Sequence, residues 1–397
     1  MNPKIKPSMK LSSIYGTDLI FLGRPSPNAR RWLPRNEISL DMLTSSMLTV
    51  VGDMPIVCAA SVSSHDALCL LRDAGFQISC EIYRYFDVAD YMSMLKKICA
   101  DESVVAVQHV HPLTDIPAEF CCIEPETLSF VNNKANLNKL VPPGNTPVRE
   151  IVSVDQMTFL DRKFNLPFII KAVTNESTGG GIDVGICREI KDIEKATADF
   201  ADCQHVVVEE YLDIRKNLCL NYCVKADGEI NYLGFAEQVS DEQGMYQGNW
   251  IEAGDKCSLD AIEVGISICR KAFEMGYYGI VGIDLAVFEN GNCKVFDLNF
   301  RCNGSTPALL YAESLYKHHP NQVMRFRRMT GRYNYRDLLN SVYKAMDKGI
   351  LLPLGSCDPE AGPYVQEKPI LNGIILGENR QHIMENERDL ISMGLDI

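Results

Sequence analysis

The sequence lacks both an excess of positive charge and any long apolar run. Its 39 Lys and Arg residues face 52 Asp and Glu residues, giving a formal net charge of -13, so a broad basic surface for nucleic acid or anionic membrane is not expected. No apolar stretch approaches the roughly 20 residues that span a bilayer. The segment MNPKIKPSMKLSSIYG has no apolar signal core. We therefore expect a cytoplasmic protein that binds neither nucleic acid nor membrane.

Sequence motifs for zinc binding and for dinucleotide binding are also missing. The 15 cysteines form no repeated Cys-x-x-Cys pair and no Cys/His spacing typical of zinc, which favours reduced thiols. No Gly-x-Gly-x-x-Gly follows a predicted strand of the first lobe, so a dinucleotide site has no support there. His109 and His111 have no third ligand nearby in sequence, which favours a strand-end pair with satisfied hydrogen bonds over a metal site.

A stretch near residue 280 predicts a β-hairpin with an unusual polar face. Two apolar runs, 281–288 and 293–300, flank the sequence Glu-Asn-Gly-Asn, which is typical of a connection between antiparallel strands. Asp284 interrupts the first run. Polar residues occupy every other position of the second run and its continuation, which a strand would place on one face. They are Asp297, Asn299, Arg301 and Asn303.

These residue types favour phosphate and metal chemistry over core packing. Carboxylate and amide oxygens are ligands that Mg²⁺ combines with substrate phosphates, and a guanidinium binds phosphate oxygens. Strand pairing would bring Asp284 beside Asp297 and Asn299, so these three are the predicted divalent-metal ligands. The alternative is an edge hairpin whose polar face is merely solvated. It explains the period of two but not the choice of residues.

A strand lysine followed by three glycines predicts a second phosphate-binding element. Lys171 interrupts an apolar strand at 167–172, and the sequence NESTGGGID follows at 175–183. Backbone without Cβ atoms can close tightly over phosphates and direct N–H groups at them. A triple glycine alone is more commonly explained as a plain flexible loop. The preceding lysine favours the phosphate interpretation.

These motifs resemble the ATP-grasp superfamily. Its metal-binding hairpin has the pattern Asp, then Asp or Glu, one residue, Asn, one residue, Arg, and the matching residues here are Asp284, Asp297, Asn299 and Arg301. Asp297 stands where Glu is commoner. The resemblance covers roughly residues 130–310. It implies a nucleotide held by two lysines, a mobile loop over the β- and γ-phosphates, and a hinge strand beside the adenine.

The residues implied to bind ATP are Lys134, Lys171, Thr178, Gly179, Gly180, Gly181, Glu209, Glu210, Tyr211, Leu212 and Asn217. Within this set Glu209 is the expected contact to the adenine base. The ribose contact stays open, because Asp213 lies closer to the hinge than the superfamily pattern prefers.

The resemblance also implies a reaction, the ATP-dependent joining of a carboxylate to an amine through an acyl phosphate. ATP and Mg²⁺, or Mn²⁺ in its place, are the implied cofactors. Arg301 and Lys171 are the implied catalytic residues. The residues implied to bind substrate are Arg301, Asn303, Gly304 and Ser305. Because DLNFRCNGST looks most like peptide ligases, an amino acid or short peptide is the expected substrate. A homodimer is a frequent state in this superfamily.

The expected fold class is α/β (α+β), with a small N-terminal α/β pre-ATP-grasp lobe followed by a two-lobed ATP-grasp fold that holds the nucleotide between two sheets. We place the N-terminal domain at 1–129, the small subdomain at 130–210, the C-terminal subdomain with the metal hairpin at 211–330, and a C-terminal extension at 331–397. Residues 237–254 are expected to form a loop or lid, and 352–363 to belong to a small added hairpin.

Three other functions stay open from the sequence. One is an ATP-grasp kinase that phosphorylates a small-molecule hydroxyl, and another is a non-catalytic ATP-binding module. The third is a structural protein that binds no nucleotide. A thiol could also replace the amine as the nucleophile of a ligase.

Overall fold

The computed structural model describes residues 5–318 and 323–397. In chain order its strands are β1 (Ile20–Leu22), β2 (Ile56–Ala59), β3 (Ile82–Tyr85), β4 (Val105–Val107), β5 (Arg149–Ser153), β6 (Phe168–Ala172), β7 (Val184–Cys187), β8 (His205–Glu210), β9 (Lys216–Val224), β10 (Ile230–Ser240), β11 (Tyr246–Glu252), β12 (Gly279–Val287), β13 (Cys293–Asn299), β14 (Val323–Gly331), β15 (Leu351–Cys357), β16 (Ile370–Gly377) and β17 (Leu395–Asp396).

The α-helices are α1 (Ser12–Tyr15), α2 (Glu37–Ser45), α3 (His65–Asp73), α4 (Val88–Ala100), α5 (Pro125–Asn132), α6 (Leu137–Leu140), α7 (Ile190–Asp199), α8 (Leu259–Glu274), α9 (Thr306–His318), α10 (Tyr335–Asp347) and α11 (Arg380–Ser392). Short 3-10 helices join several of them, and the longest of these in the described residues is Val154–Arg162. Within the described residues no helix is long and apolar enough to cross a membrane.

The first lobe is a four-stranded parallel sheet in the order β3-β2-β1-β4. Strands β1, β2 and β4 alternate along the chain with helices α3 and α4, which agrees with the small α/β lobe expected from the sequence. Strand β3 and helix α2 were not predicted. The residues of β3 are mostly half-buried or exposed, so its sequence lacks the continuous apolar run by which buried parallel strands are recognised.

The second lobe is an antiparallel sheet in the order β5-β8-β6-β7. Its core contains one residue from the first lobe. Trp32 is buried among the apolar side chains of this sheet and stacks on Phe200, with ring centroids 5.3 Å apart. The loop that carries Trp32 therefore fastens the first lobe to the second.

The third lobe is a sheet of nine strands. Eight of them run in the order β13-β12-β9-β10-β11-β14-β16-β15, and β17 pairs with β14. The predicted hairpin forms the edge of this sheet as β12 and β13, so its prediction is confirmed. Strands β15 and β16 pair as a hairpin but belong to the same sheet. The tail that contains them, within the expected extension 331–397, thus continues the sheet rather than adding a separate element.

The prediction of a loop at 237–254 was wrong. This region is mostly strand, because β10 extends to Ser240 and β11 begins at Tyr246, leaving a tight turn between them. Several polar and glycine residues in YQGNWIE concealed the strand. Pairing of β11 with both β10 and β14 overrides the weak strand propensity of those residues.

Helix α8 shows how tightly the third lobe is packed. Ser258 caps its N-terminus by accepting a hydrogen bond from the amide of Ala261. Gly265, in the middle of the helix, faces Tyr222 on β9, whose hydroxyl donates to the carbonyl of Ile262 at 3.0 Å. A Cβ atom at Gly265 would lie 2.2 Å from the Tyr222 hydroxyl. Glycine is therefore required here by close approach of a buried ring.

We expect Gly265→Ala to destabilise the protein although alanine is the better helix former. Overpacking a core costs about 1–3 kcal/mol, and a contact of 2.2 Å with a buried ring belongs in the upper part of that range. This cost exceeds the gain of ~1 kcal/mol in helix propensity. Glu263→Ala, an exposed position on the same helix, is the matched control and should change stability by less than about 0.5 kcal/mol. Denaturant unfolding measures both variants. Equal midpoints for the two variants would contradict the packing argument.

Candidate active site

The hairpin of β12 and β13 brings the three predicted metal ligands together. Asp284 lies directly opposite Asp297 across the two strands, and Asn299 pairs with Gly282. The side-chain amide of Asn299 donates to Asp284 Oδ2 at 3.0 Å, while Gln238 of β10 donates to Asp284 Oδ1. Two carboxylates and an amide thus form one polar group at the edge of the third lobe, as the sequence predicted.

Lys134 reaches this group from the second lobe. Its Nζ donates to Asp297 Oδ1 at 2.7 Å and lies 3.2 Å from Asp183 Oδ2, and the side chain is almost fully buried. Burial opposes the charge of Lys134, but Asp183 and Asp297 outweigh it and raise the lysine pKa above its usual value. Asp183 was not predicted. Its position two residues after the last of the three glycines was the one signal in the sequence.

Lys171 forms the second buried ion pair of the cleft. Its Nζ lies 2.6 Å from Glu209 Oε2 and donates to the carbonyl of Phe296 at 2.6 Å. Arg149 Nη2 approaches Glu209 Oε1 at 3.4 Å and donates to the carbonyl of Lys134. The strand lysine is therefore held inside the cleft rather than extended into solvent. Arg149, the other cation here, was missed because nothing in its sequence surroundings distinguishes it.

The two carboxylates of the hairpin differ in pKa. Burial, and then the charge of Asp297, raises the pKa of Asp284 to about 7. Burial acts in the same direction on Asp297, but Lys134 and Lys171 outweigh it and hold the pKa of Asp297 below its usual value. Asp297 therefore keeps its negative charge to lower pH than Asp284 does.

The donor atoms of this group suit a divalent cation that also binds phosphate. Among residues 5–318 and 323–397, no three His, Cys, Asp or Glu side chains are placed to hold a metal. Two carboxylates and one amide make an incomplete oxygen shell. Mg²⁺ prefers such a shell, because it completes its six ligands with water and substrate phosphates. Asp284, Asp297 and Asn299 would hold it.

The two glutamates of the expected hinge, Glu209 and Glu210, lie on opposite faces of β8. Glu209 faces the cleft and its ion pairs, whereas Glu210 forms an ion pair with Lys294 and accepts a hydrogen bond from the amide of Val148 at 2.9 Å. Strand β8 ends at Glu210, so Tyr211 and Leu212 lie in the loop that follows, and Tyr211 is exposed. This alternation is what a strand imposes on two consecutive residues.

Four buried polar atoms on residues of the expected or observed cleft lack a hydrogen-bond partner in the described part of the chain. They are Arg149 Nη1, Asp183 Oδ2, Glu209 Oε1 and Asn217 Oδ1. Buried polar atoms are normally satisfied, so such atoms mark a place where a polar ligand supplies the missing partners. A cavity partly open to solvent adjoins Lys134, Arg149 and Asp297. These observations fit a nucleotide bound between β8 and the hairpin.

The glycine loop contacts three parts of the protein. The amide of Gly179 donates to the carbonyl of Trp32 at 3.1 Å, and Arg301 Nη2 donates to the carbonyl of Thr178 at 3.0 Å. Gly181 has a positive φ of 85°, and a Cβ atom there would lie 2.8 Å from the carbonyl oxygen of Gly244. The loop thus rests on the first lobe, on Arg301 and on the β10–β11 turn.

Two side chains hold the backbone on either side of Arg301. Asn132 Oδ1 accepts from the amide of Phe300 at 3.0 Å, and Gln108 Oε1 accepts from the amide of Cys302 at 2.7 Å. Neither residue was predicted, because each is far from Arg301 in sequence. They fix the segment from which the Arg301 guanidinium extends toward the glycine loop.

The other predicted substrate residues belong to a hydrogen-bonded turn before α9. Asn303 Oδ1 accepts from the amide of Ser305 at 3.0 Å and from its hydroxyl at 2.7 Å, and Asn303 Nδ2 donates to Asn221 at 3.1 Å. Gly304 lies against Tyr246, whose hydroxyl would be 2.5 Å from a Cβ atom there. These contacts hold the turn together, and the role of the three residues in substrate binding stays a prediction.

Comparison with known families identifies this arrangement. A model described as "L-aspartate--L-methionine ligase, ATP grasp" matches residues 147–299, and a model of the N-terminal domain of the same ligase matches residues 10–129. Together they match more than half of the 397 residues. The chain belongs to the ATP-grasp superfamily. It is an ATP-dependent carboxylate-amine ligase, as the motifs of the hairpin and the glycine loop implied.

Solved structures agree on the fold over nearly the whole length. An N5-carboxyaminoimidazole ribonucleotide synthetase in complex with ADP has a TM-score of 0.61 at 13% identity, covering 98% of both chains. Biotin carboxylase from Campylobacter jejuni has a TM-score of 0.59 at 12% identity, covering 96% of this chain and 92% of the other. An L-amino acid ligase from Bacillus licheniformis has a TM-score of 0.55 at 12% identity, covering 95% and 97%.

The glycine loop of this ATP-grasp protein supplies a matched pair of variants. Gly180 and Gly181 both have positive φ, so alanine strains the backbone at either position. Only Gly181 approaches another backbone, since nothing lies within 4 Å of a Cβ atom at Gly180. We expect Gly181→Ala to weaken binding of ATP with Mg²⁺ about tenfold more than Gly180→Ala, because the closed loop must move away from Gly244. Titration calorimetry measures both, and equal losses would contradict this contact.

Proposed function

We propose that this ligase joins L-aspartate, as the acyl donor, to L-methionine while ATP is converted to ADP and phosphate. The observation that carries the proposal is the agreement of two family models. Both are named for L-aspartate–L-methionine ligase, and they match separate parts of the chain, residues 10–129 and 147–299. An L-amino acid ligase is also among the proteins with this fold.

In this proposal the buried lysines bind the triphosphate. Lys134 and Lys171 lie in one cleft, with the glycine loop beside it, and their carboxylate partners are Asp297 and Glu209. Positive charge in a water-poor cleft neutralises phosphate oxygens more strongly than it would in water. The backbone of Thr178 to Gly181 covers the phosphates and excludes water, which would otherwise hydrolyse a reactive phosphate.

Asp284, Asp297 and Asn299 hold Mg²⁺ in the proposal. When bound, the ion supplies Lewis acidity toward the phosphate oxygens. The chain's own residues orient these ligands, since Gln238 and Asn299 both donate to Asp284, and Lys134 donates to Asp297.

The reaction proceeds in two displacements. A carboxylate oxygen of aspartate attacks the γ-phosphorus, and the bond from that phosphorus to the ADP oxygen breaks, giving aspartyl phosphate. The amine of methionine then attacks the acyl carbon and loses a proton, and the carbon–oxygen bond to phosphate breaks. Arg301 stabilises the negative charge that develops on the transferring phosphoryl group and on the tetrahedral intermediate. Its neighbours Gln108 and Asn132 keep it in position.

The test is product formation from defined pairs of amino acids. With ATP and Mg²⁺, we expect a dipeptide, ADP and phosphate only when aspartate and methionine are both present. Mass spectrometry identifies the dipeptide, and a coupled assay measures phosphate. Phosphorylated amino acid without free phosphate would instead indicate a kinase. No turnover with this pair, but turnover with other amino acids, would show that the substrate assignment is wrong.

We expect Arg301→Ala to lower kcat about 100-fold or more, because it removes a positive charge that acts chiefly in the transition state. Binding of ATP with Mg²⁺ should change much less. Arg162→Ala, on the exposed 3-10 helix of the second lobe, is the control and should keep full activity. A loss confined to KM for ATP would assign Arg301 to nucleotide binding and contradict this role.

A further inference from the structure

The first lobe has the topology of a ligand-binding sheet. From β1 the chain proceeds to β2 and β3 on one side and then crosses to β4 on the other side of β1, and all these strands are parallel. Loops that leave the carboxyl ends of β1 and β4 therefore diverge and open a crevice. Ligands of open parallel sheets bind at this switch point. The residues that follow β4 are Gln108, His109 and Val110.

A cavity that is partly open to solvent lies at this place. Gln108, His109 and Val110 form one wall, Ser129 and Asn132 of α5 another, and residues 174–178 with Arg301 the third. The cavity thus joins the first lobe to the guanidinium and to the start of the glycine loop.

Most polar groups of the lining are already satisfied within the protein. Gln108 and Asn132 hold the backbone beside Arg301, as described above. Thr174 Oγ1 accepts from the amide of Glu176 at 3.0 Å, and Asn175 Oδ1 accepts from Asn133 at 2.9 Å. These residues shape the cavity, and their polar atoms are largely committed.

Like Ser129 and Ser177, His109 lines the cavity without a side-chain hydrogen bond to any described residue. Its side chain is only 7% exposed. His111 differs, because its ring is 3.0 Å from the Tyr91 hydroxyl and 2.8 Å from the carbonyl of His109. The sequence led us to expect hydrogen-bond partners for both rings, but in the described residues only the His111 ring has them. Burial, followed by the charge of Arg301, holds the pKa of His109 well below its usual value, so the ring is neutral.

We infer that this cavity binds the acyl-donor amino acid, with its reacting carboxylate at Arg301 and a second, side-chain carboxylate at the imidazole N–H of His109. The inference rests on the proposed function, which names aspartate as that donor. The imidazole of His109 is uncommitted within the described residues and lines the cavity, so its N–H can donate to a carboxylate of the ligand. Glu176 is the one carboxylate of the lining, and its charge suits the donor's ammonium group. His109 is accordingly a specificity-determining residue.

Binding can be measured without turnover. L-aspartate is titrated into the full chain with Mg²⁺ and a non-hydrolysable ATP analogue, and L-alanine and L-asparagine are titrated in parallel. We expect aspartate to bind wild type at least tenfold more tightly than alanine, because a hydrogen bond to a charged group contributes this much. His109→Ala should abolish the preference and leave affinity for the ATP analogue within about twofold. His65→Ala, at an exposed histidine of α3, should behave as wild type.

Two results overturn the inference. One is wild type that binds alanine as tightly as aspartate, which needs no variant and so is independent of whether His109→Ala folds. The other is His109→Ala that keeps the preference for aspartate. Failure of the proposed function is distinguishable, because it appears as absent dipeptide in the turnover assay whatever the binding data show. The binding assay could show a His109-dependent preference for aspartate while the turnover assay shows no dipeptide. That result would support the cavity assignment and contradict only the proposed ligation to methionine.

Discussion

The buried ion pairs of the cleft are the constraint on which the site depends. Lys134 precedes α6 and meets Asp297 of β13, and Lys171 meets Glu209 on a neighbouring strand while donating to a carbonyl of β13. A buried charge without a partner costs several kcal/mol, so each lysine must have a carboxylate, and their pairing closes the cleft. A triphosphate brings negative charge to these lysines and a divalent cation brings positive charge to these carboxylates. When both ligands bind, each lysine exchanges its carboxylate for a phosphate and each carboxylate exchanges its lysine for the cation. No buried charge is then left without a partner.

The sequence predicted those parts of the site that depend on local pattern. A period of two places Asp297, Asn299 and Arg301 in line on or just beyond one strand, and the position of Lys171 before the glycines follows from chain order alone. It could not predict residues that act only after folding. The side chain of Gln108 accepts a hydrogen bond from the amide of Cys302, which is 194 residues away in the sequence. The side chain of Asn132 accepts one from the amide of Phe300, which is 168 residues away. No local pattern distinguishes an amide that holds a distant backbone from one that faces solvent.

The wrong prediction at 237–254 has a related cause. Strand β11 carries Asn249, which is buried and accepts from the Tyr246 hydroxyl, and Gly248, whose Cβ position is taken by the carbonyl of Phe326. Polar and glycine residues in a sequence normally indicate a loop. Here they are polar or small because the strand runs beside the active site and close to β14. Sequence rules based on average strands fail where a strand also serves a site.

The loop over the nucleotide and the wall of the donor cavity are one continuous segment. Residues 174–178 line the cavity, and Thr178 to Gly181 form the glycine loop. Thr178 belongs to both, and its carbonyl accepts from Arg301, which also faces the cavity. A displacement of the loop therefore alters the cavity wall and removes a hydrogen bond from Arg301. Trp32 of the first lobe contacts the same segment. The first lobe thus touches both the loop that is proposed to cover the phosphates and the cavity that is proposed to bind the acyl donor.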